Sequence, residues 1–375
     1  MQRLAQEIER LKTWFRHRSP SLPHGTDFTS NDYLGLARHP ALRRAVLDAF
    51  DAGAPAGSAG SRLLRGHHLE HAELESFAAG FFDAERALYF STGFLANFAL
   101  FTTLPHRHDA IVFDEFVHAS VKEGVHAAHA SRIKVAHNDV GAFEDAIVRA
   151  RRAGARDVWL AIESVYSMDG DIAPVDDLHA LARAHDAVLI VDEAHASGIF
   201  GPTGRGFTEG QYDERLITLH TCGKALGVAG GLLCGPAVAM EYLINAARPF
   251  IYSTAPPPYV AAAVRRALRL VDEEPWRRGR LRQLASFAGR RLSEALGGAA
   301  RRGTQIIPVI LGEESHAITA ADSLRLDGFD VRAIRPPTVP VGTSRLRISI
   351  GVDRTEAEIE ALGAALQRAL AAAAK

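Results

Sequence analysis

Four short runs between residues 87 and 195 constrain this chain most: ALYFSTG (87–93), AIVFDEF (110–116), VWLAIES (158–164) and AVLIVDEAH (187–195). Each is apolar, β-rich and bounded by polar or small residues. Stretches of helical periodicity, such as Val140 to Ala153 and Val175 to His185, separate them. A strand with no polar face must be covered on both sides, and helical crossovers are the ordinary way to connect such strands. The alternation therefore predicts an α/β fold with a mostly parallel central sheet flanked by helices.

The ends of the chain read differently. Leu4, Ile8, Leu11 and Phe15 recur at helical spacing, so an amphipathic helix is expected to open the chain and to stop before Pro20 and Pro23. Leu42, Val46 and Phe50 mark another helix over 41–50. After Pro256-Pro257-Pro258 comes an Arg-rich helical stretch of about 259–300, then strands QIIPVILG (305–312) and RLRISIG (345–351). A last helix carries Ile359, Leu362 and Leu366 on one face, with Thr355 and Glu358 spaced as a capping box. The alanine-rich tail AALQRALAAAAK is expected to fray. Chain order thus divides into an N-terminal helix and arm (1–40), a large α/β domain (41–258) and a smaller C-terminal α+β domain (259–375), with no internal repeat. The length of 375 residues accommodates that division at roughly 150 residues per domain.

Composition excludes several classes. Lys plus Arg is 43 against 44 for Asp plus Glu, so the chain lacks the strong basic excess of a general nucleic-acid binder. No apolar run reaches the roughly 18 residues of a membrane-spanning helix. The start, MQRLAQEIERLKTWFRHR, is charged throughout and lacks the pattern of a signal peptide. Cys222 and Cys234 are too few for a disulfide framework. A soluble protein of the cytoplasm is expected, without membrane or nucleic-acid partners.

Lysine is scarce: Lys12, Lys122, Lys134, Lys224 and Lys375 are all there are. Lys224 lies in LHTCGKALGVAGG, among small and apolar neighbours with no carboxylate nearby in sequence. Burial lowers an ammonium pKa, and a neutral amine can attack a carbonyl to give a Schiff base. A surface lysine in a glycine-rich loop is the plainer alternative. In AVLIVDEAHASG an apolar strand ends in Asp192, with Glu193 and His195 following. Strand carboxyl ends are where open α/β sheets bind ligands. A helicase Walker-B reading of DEAH fails, because Gly223-Lys224 is followed by Ala225 and no GxxxxGK[ST] loop exists. No HExxH or Cys/His set supports a metal, and none is expected. What remains is a carboxylate suited to a protonated heteroaromatic nitrogen, with His195 assisting. A third strand ends in Ser91-Thr92-Gly93-Phe94 before a helix, whose free N–H groups could bind phosphate. His118 in EFVHASVKEG and the loop ESVYSMDGD (163–171) also follow strand ends, where a structural role is the ordinary reading. An imine-forming lysine, a strand-end acid and a phosphate-binding helix start together are the parts needed to hold pyridoxal 5′-phosphate.

The ordered set SNDYLGL (30–36), GSAGSRLLRGHH (57–68), STGFLAN (91–97), HAS (118–120), SMDGD (167–171), VDEAHASG (191–198), TCGKALG (221–227) and IYSTAPPP (251–258) resembles the α-oxoamine synthases. These are pyridoxal-phosphate transferases of the aspartate-aminotransferase-like fold, fold type I, and the resemblance spans essentially the whole chain. AHND (136–139) and AIRPPTVPVGTSRLRIS (333–349) resemble the branch that joins L-alanine to a pimeloyl thioester, carried on CoA or acyl carrier protein, in biotin biosynthesis.

The resemblance implies roles at matching positions. Lys224 would carry the cofactor and then act as acid and base at the amino-acid α-carbon. Asp192 would keep the pyridine nitrogen protonated, His118 would stack on the ring, and His195 with Ser167 would hydrogen-bond its phenolic oxygen. Gly93 and Phe94 would offer backbone N–H groups, Thr221 would contact the phosphate, and Ser253 and Thr254 would come from the neighbouring subunit of a homodimer. Asn31 would line the site, Arg347 would pair with the amino-acid carboxylate, Thr338 would touch substrate and Arg16 would lie near the acyl group. Two departures stand out: Cys222 replaces a larger apolar residue, and the segment between Arg18 and Ser30 is short, as if an N-terminal hairpin were trimmed. Three rivals remain: a family member using glycine or serine with another acyl-CoA, an aminotransferase of the same fold, and a cofactor-free interaction protein.

Overall fold

The computed structural model describes residues 1–298 and 304–373. They form two compact units that do not follow chain order. The larger consists of Leu34–Tyr166 and Ile172–Arg278; the smaller consists of Met1–Tyr33, Ser167–Asp171 and Gly279–Lys375. The divisions expected at 40 and 258 from chain order thus differ from the contact-based units, which set the loop 167–171 with the terminal segments.

In the larger unit a seven-stranded sheet comprises β1 (Arg86–Phe90), β2 (Ala110–Asp114), β3 (Ser131–Val135), β4 (Val158–Glu163), β5 (Val188–Asp192), β6 (Leu216–Thr221) and β7 (Gly231–Gly235). Their order is β1-β7-β6-β5-β4-β2-β3. Strands β3, β2, β4, β5 and β6 pair in parallel, while β7 runs antiparallel to both β6 and β1. Side chains alternate across β5: Ile190 joins the core formed with Leu100, Ile111 and Phe250, whereas Leu189 and Val191 join Phe143, Leu160 and Leu178 on the other face. Full burial of each such aliphatic side chain contributes about 1.5–3 kcal/mol. The same period of two sends Asp192 towards the first face and Glu193 towards the second.

The smaller unit holds an antiparallel sheet of β8 (Ile306–Gly312), β9 (Arg332–Ile334) and β10 (Ser344–Ser349), ordered β9-β10-β8. Helices Glu314–Leu326 and Glu356–Ala373 pack together in this unit. The capping box forms: Glu358 N–H donates to Thr355 Oγ1 at 3.2 Å, and Thr355 N–H donates to Glu358 Oε2 at 2.7 Å. The tail differs from expectation, being helical to Ala373 with Ala369 and Ala373 buried; residues 374–375 lie outside the described residues.

Other expectations are corrected in detail. The Arg-rich stretch is two helices, Pro258–Glu273 and Trp276–Ala295, because Pro275 cannot continue the first; its expected end at 299–300 lies outside the described residues. The first helix, Gln2–Thr13, stops before Phe15, whose φ is +54°. None of its residues is buried. The short arm after Arg18 includes Thr26–Asp27, which pairs in parallel with Phe329–Asp330. Among the described residues no helix is long and apolar enough to cross a membrane.

Candidate active site

In the larger unit the side chains singled out from sequence converge at the carboxyl ends of the parallel strands. The loop after β6 carries Lys224, and its Nζ lies 2.7 Å from Nε2 of His195, which follows β5 and is 3% exposed. Asp192 ends β5 and is 4% exposed. Its Oδ1 accepts the Ala194 N–H at 3.0 Å and its Oδ2 accepts from Asn97 Nδ2 at 2.8 Å. Both donors are neutral, so these bonds orient the carboxylate without cancelling its charge.

Asn97 extends the network. It sits one turn inside helix Gly93–Thr103, and its Nδ2 also donates to Ser120 Oγ at 3.0 Å. Ser120 Oγ in turn lies 2.8 Å from Nδ1 of His118, which also accepts the Ser120 N–H at 3.2 Å. The backbone N–H can only donate, so Nδ1 accepts and the proton of a neutral His118 is left on Nε2. Burial lowers the His118 pKa, the charge of Asp192 opposes this, and Lys224 adds to it. His118 also caps helix Ala119–Ala127, which fixes its place after β2.

The helix start at Gly93 is tightly built. Thr92 Oγ1 accepts the Leu95 N–H at 3.0 Å, and the Thr92 carbonyl accepts the Ala96 N–H at 3.1 Å. The N–H groups of Gly93 and Phe94 head the helix, ahead of any intrahelical partner. A Cβ on Gly93 would fall 3.3 Å from Thr221 Oγ1, so that hydroxyl stands beside the helix head. A Cβ on Gly231 would fall 2.7 Å from Gly93 Cα, which requires glycine where β7 passes the turn. Thr254 forms a bridge with Ser61 and is exposed, and Ser253 is half-buried; neither hydrogen-bonds to the Lys224 cluster among the described contacts.

Glu193, adjacent to Asp192, serves the opposite face of β5. It is fully buried and accepts from Thr208 N–H at 2.9 Å and Thr208 Oγ1 at 3.0 Å. Burial raises its pKa against the lowering effect of bonds from Ser164 and Thr208. It ties down a loop. Cys222 is fully buried, and burial pushes its thiol pKa up.

In the smaller unit Arg347, on β10, is 7% exposed. Its guanidinium donates to Ser167 O at 2.6 Å, Asn31 Oδ1 at 3.1 Å, Ser349 Oγ at 2.8 Å and Tyr33 Oη at 3.1 Å. These partners are neutral. Arg345, two residues away on the same face, is instead paired with Asp169 at 2.7 Å. Arg347 is thus a buried cation held in place without a carboxylate among the described residues. Thr338 lies exposed in the turn after Pro336-Pro337, its N–H bonded to Arg335 O at 3.1 Å. Arg16 is an ion-pair partner of Glu314 at 2.7 Å. Sequence reasoning did not single out Asn97, Ser120, Tyr33 or Ser349. Asn97 and Ser120 lie within quoted motifs, four residues after Gly93 and two after His118, and that spacing was the available signal.

Residues 23–366 match the model of the family described as aminotransferase class I and II. The chain is 43% identical over 337 residues to an 8-amino-7-oxononanoate synthase of Chromobacterium violaceum, covering 89% of this chain and 86% of that protein. This chain is an α-oxoamine synthase of the class I and II aminotransferase family. A second 8-amino-7-oxononanoate synthase, of Aromatoleum aromaticum, is 41% identical to this α-oxoamine synthase over 360 residues, covering 93% and 92% of the two chains. Among solved structures, a serine palmitoyltransferase variant from S. paucimobilis, with bound PLP and myriocin, superposes with a TM-score of 0.89 at 28% identity, covering 99% of this chain and 97% of that one. The expected fold, a type I aminotransferase-like α/β architecture, is therefore the observed one.

Proposed function

We propose that this α-oxoamine synthase uses pyridoxal 5′-phosphate to condense L-alanine with a pimeloyl thioester, releasing carbon dioxide and free thiol and giving 8-amino-7-oxononanoate for biotin synthesis. The observation that carries the cofactor reading is the donor set of the larger unit. A lysine amine touching a buried imidazole, and a buried carboxylate bonded among the described residues to neutral donors, suit an aldehyde and a ring N–H respectively. The helix head at Gly93 beside Thr221 suits a phosphate. Sequence likeness carries the choice of substrate, since identity is 43% to an 8-amino-7-oxononanoate synthase and 28% to the serine palmitoyltransferase.

When bound, the cofactor supplies an aldehyde that captures amines and a ring that withdraws electrons from the substrate α-carbon. Every other task falls to the chain. Lys224 Nζ removes and returns the α-proton, and its contact with His195 sets where that proton goes. Asp192 holds the ring nitrogen protonated, oriented by Asn97 and the Ala194 N–H. Neutral His118 would stack on the ring, and His195 and Ser167 would bond its phenolic oxygen. Gly93, Phe94 and Thr221 would hold the phosphate end, and in a homodimer Ser253 and Thr254 of a second subunit would complete it. Arg347 takes the carboxylate of alanine, kept in position by Asn31. Thr338 contacts substrate, and Arg16, paired with Glu314, lies near the acyl group. CoA or acyl carrier protein carries the pimeloyl group, and the reaction runs in the cytoplasm.

The test is a product assay with alanine, glycine and serine, each against pimeloyl-CoA, pimeloyl-acyl carrier protein and palmitoyl-CoA. Alanine with a pimeloyl donor should give 8-amino-7-oxononanoate and thiol. Turnover confined to serine and palmitoyl-CoA would transfer the protein to the sphingoid branch. Lys224→Ala should remove the lysine-dependent visible absorbance of the cofactor-loaded protein.

A further inference from the structure

His220 lies on β6, one residue before its end, with 1% exposure and no part in the reaction described above. Its ring stacks on Phe82, centroids 3.5 Å apart and planes 12° apart. Nδ1 lies 2.9 Å from Ser197 Oγ, and Nε2 lies 2.8 Å from Thr218 Oγ1. Ser197 Oγ is also 2.7 Å from the Glu193 carbonyl. A carbonyl only accepts, so the one hydroxyl proton of Ser197 is committed there. Nδ1 of His220 must then be the donor to Ser197 Oγ, and Nε2 must accept from the Thr218 hydroxyl. Burial lowers the His220 pKa to about 3, which agrees with a neutral ring. Protons therefore point one way along the line: Thr218 to His220, His220 to Ser197, Ser197 to Glu193 O.

The Glu193 carbonyl also accepts the N–H groups of Ala196 at 2.9 Å and Ser197 at 2.8 Å, closing the turn that carries His195. On the other side, Glu193 N–H donates to Leu219 O of β6 at 2.8 Å. Lys224 is three residues beyond the end of β6. The turn bearing His195 and the strand leading to Lys224 are thus fastened together by a backbone bond and by this side-chain line. We propose that His220, with Ser197 and Thr218, forms a positioning relay that sets the contact between His195 and Lys224. The inference rests on the reading of Lys224 given above. Aligned hydrogen bonds polarise one another, so losing any member loosens the rest. A misplacement of about 1 Å at a reacting amine can cost about a hundredfold in rate.

The test uses cofactor-loaded protein as wild type, Ser197→Ala, Ser197→Thr and His220→Phe, the last keeping the stack on Phe82. Visible absorbance titrated against pH reports the protonation of the lysine–cofactor linkage. Ser197→Ala and His220→Phe should each move the midpoint by about one pH unit. Both should lower kcat about tenfold or more with the KM for alanine little changed, while Ser197→Thr should restore both. Nitrogen-15 shifts should show the His220 proton on Nδ1. A midpoint and kcat unchanged in Ser197→Ala, whatever happens to its Tm, would overturn the relay while leaving Lys224 its role. A proton found on Nε2 would do the same. Should His220→Phe fail to fold, the serine pair and the nitrogen-15 shifts decide. Wild type without a lysine-dependent band would overturn relay and cofactor reading together.

Discussion

Asn97 Nδ2 donates to Asp192 Oδ2 across 2.8 Å while its other hydrogen goes to Ser120 Oγ. One amide thereby fixes the strand-end carboxylate and ties it to the histidine cap of the next helix. Hydrogen bonds to charged groups contribute about 1.5–3 kcal/mol. Replacing Asn97 with Ala should lower stability by that order and weaken pyridoxal-phosphate retention by about tenfold or more. Denaturant midpoints and a cofactor dissociation titration check this; a variant that binds cofactor as tightly as wild type would contradict it.

Arg347 makes its four bonds with both arms of a planar fork. A lysine ammonium keeps the charge but cannot reproduce that geometry. Arg347→Lys should raise the KM for alanine by roughly one to two orders of magnitude, the equivalent of losing about 1.4–2.8 kcal/mol of charge-assisted bonding. Steady-state kinetics at saturating acyl donor measure it. An unchanged KM would remove Arg347 from carboxylate binding.

The close pass of Gly231 and Gly93 predicts a strong effect from one methyl group. In Gly231→Ala the new Cβ would sit 2.7 Å from Gly93 Cα and 2.8 Å from Gly93 N, so backbone must shift. Overpacking of this kind costs about 1–3 kcal/mol. Because the shift falls at the helix head, affinity for the phosphate-bearing cofactor should drop more than Tm alone would suggest. Comparing cofactor affinity with that of Gly80→Ala, where a Cβ meets nothing within 4 Å, isolates the effect.

Acid should weaken the fold through His220. Its pKa falls from 6.5 to about 3 on folding, so the unfolded chain takes up a proton below 6.5 while the folded ring stays neutral. The stability tied to this difference is complete above 6.5 and is lost as pH falls towards 3. At pH 5 the loss is about 2 kcal/mol from this residue. His71, lowered to about 4 chiefly by burial, acts in the same direction over a narrower window. Urea midpoints at pH 7, 6 and 5 should fall more steeply in wild type than in His220→Phe. Parallel slopes would show that His220 titrates alike in both states.

Much of this was legible because burial leaves a strong imprint on sequence. The four apolar runs form β1, β2, β4 and β5, since strands covered on both faces admit few polar residues. Strand β3, SRIKV, escaped notice because it is an edge strand with exposed residues; β7, GLLCG, escaped because its glycines serve close packing rather than strand propensity. The chemistry-bearing side chains Lys224, Asp192, His195 and His118 are interpretable as residue types. Their supports are not: Asn97, Ser120 and Tyr33 gain meaning only from partners between two and 314 positions away, which residue type alone does not reveal. Arg16 shows the same limit: the resemblance sets it near the acyl group, while its bond to Glu314, 298 positions distant, is not written in any local pattern.

The contrast between Arg345 and Arg347 has a consequence for handling the protein. One guanidinium has its own counterion in Asp169; the other is surrounded by dipoles alone. A guanidinium without its own counterion is expected to attract small anions. On the proposed role of Arg347, acetate, formate or halide in a storage buffer should compete with the amino acid, so a preparation's apparent sluggishness would reflect its salt rather than its fold.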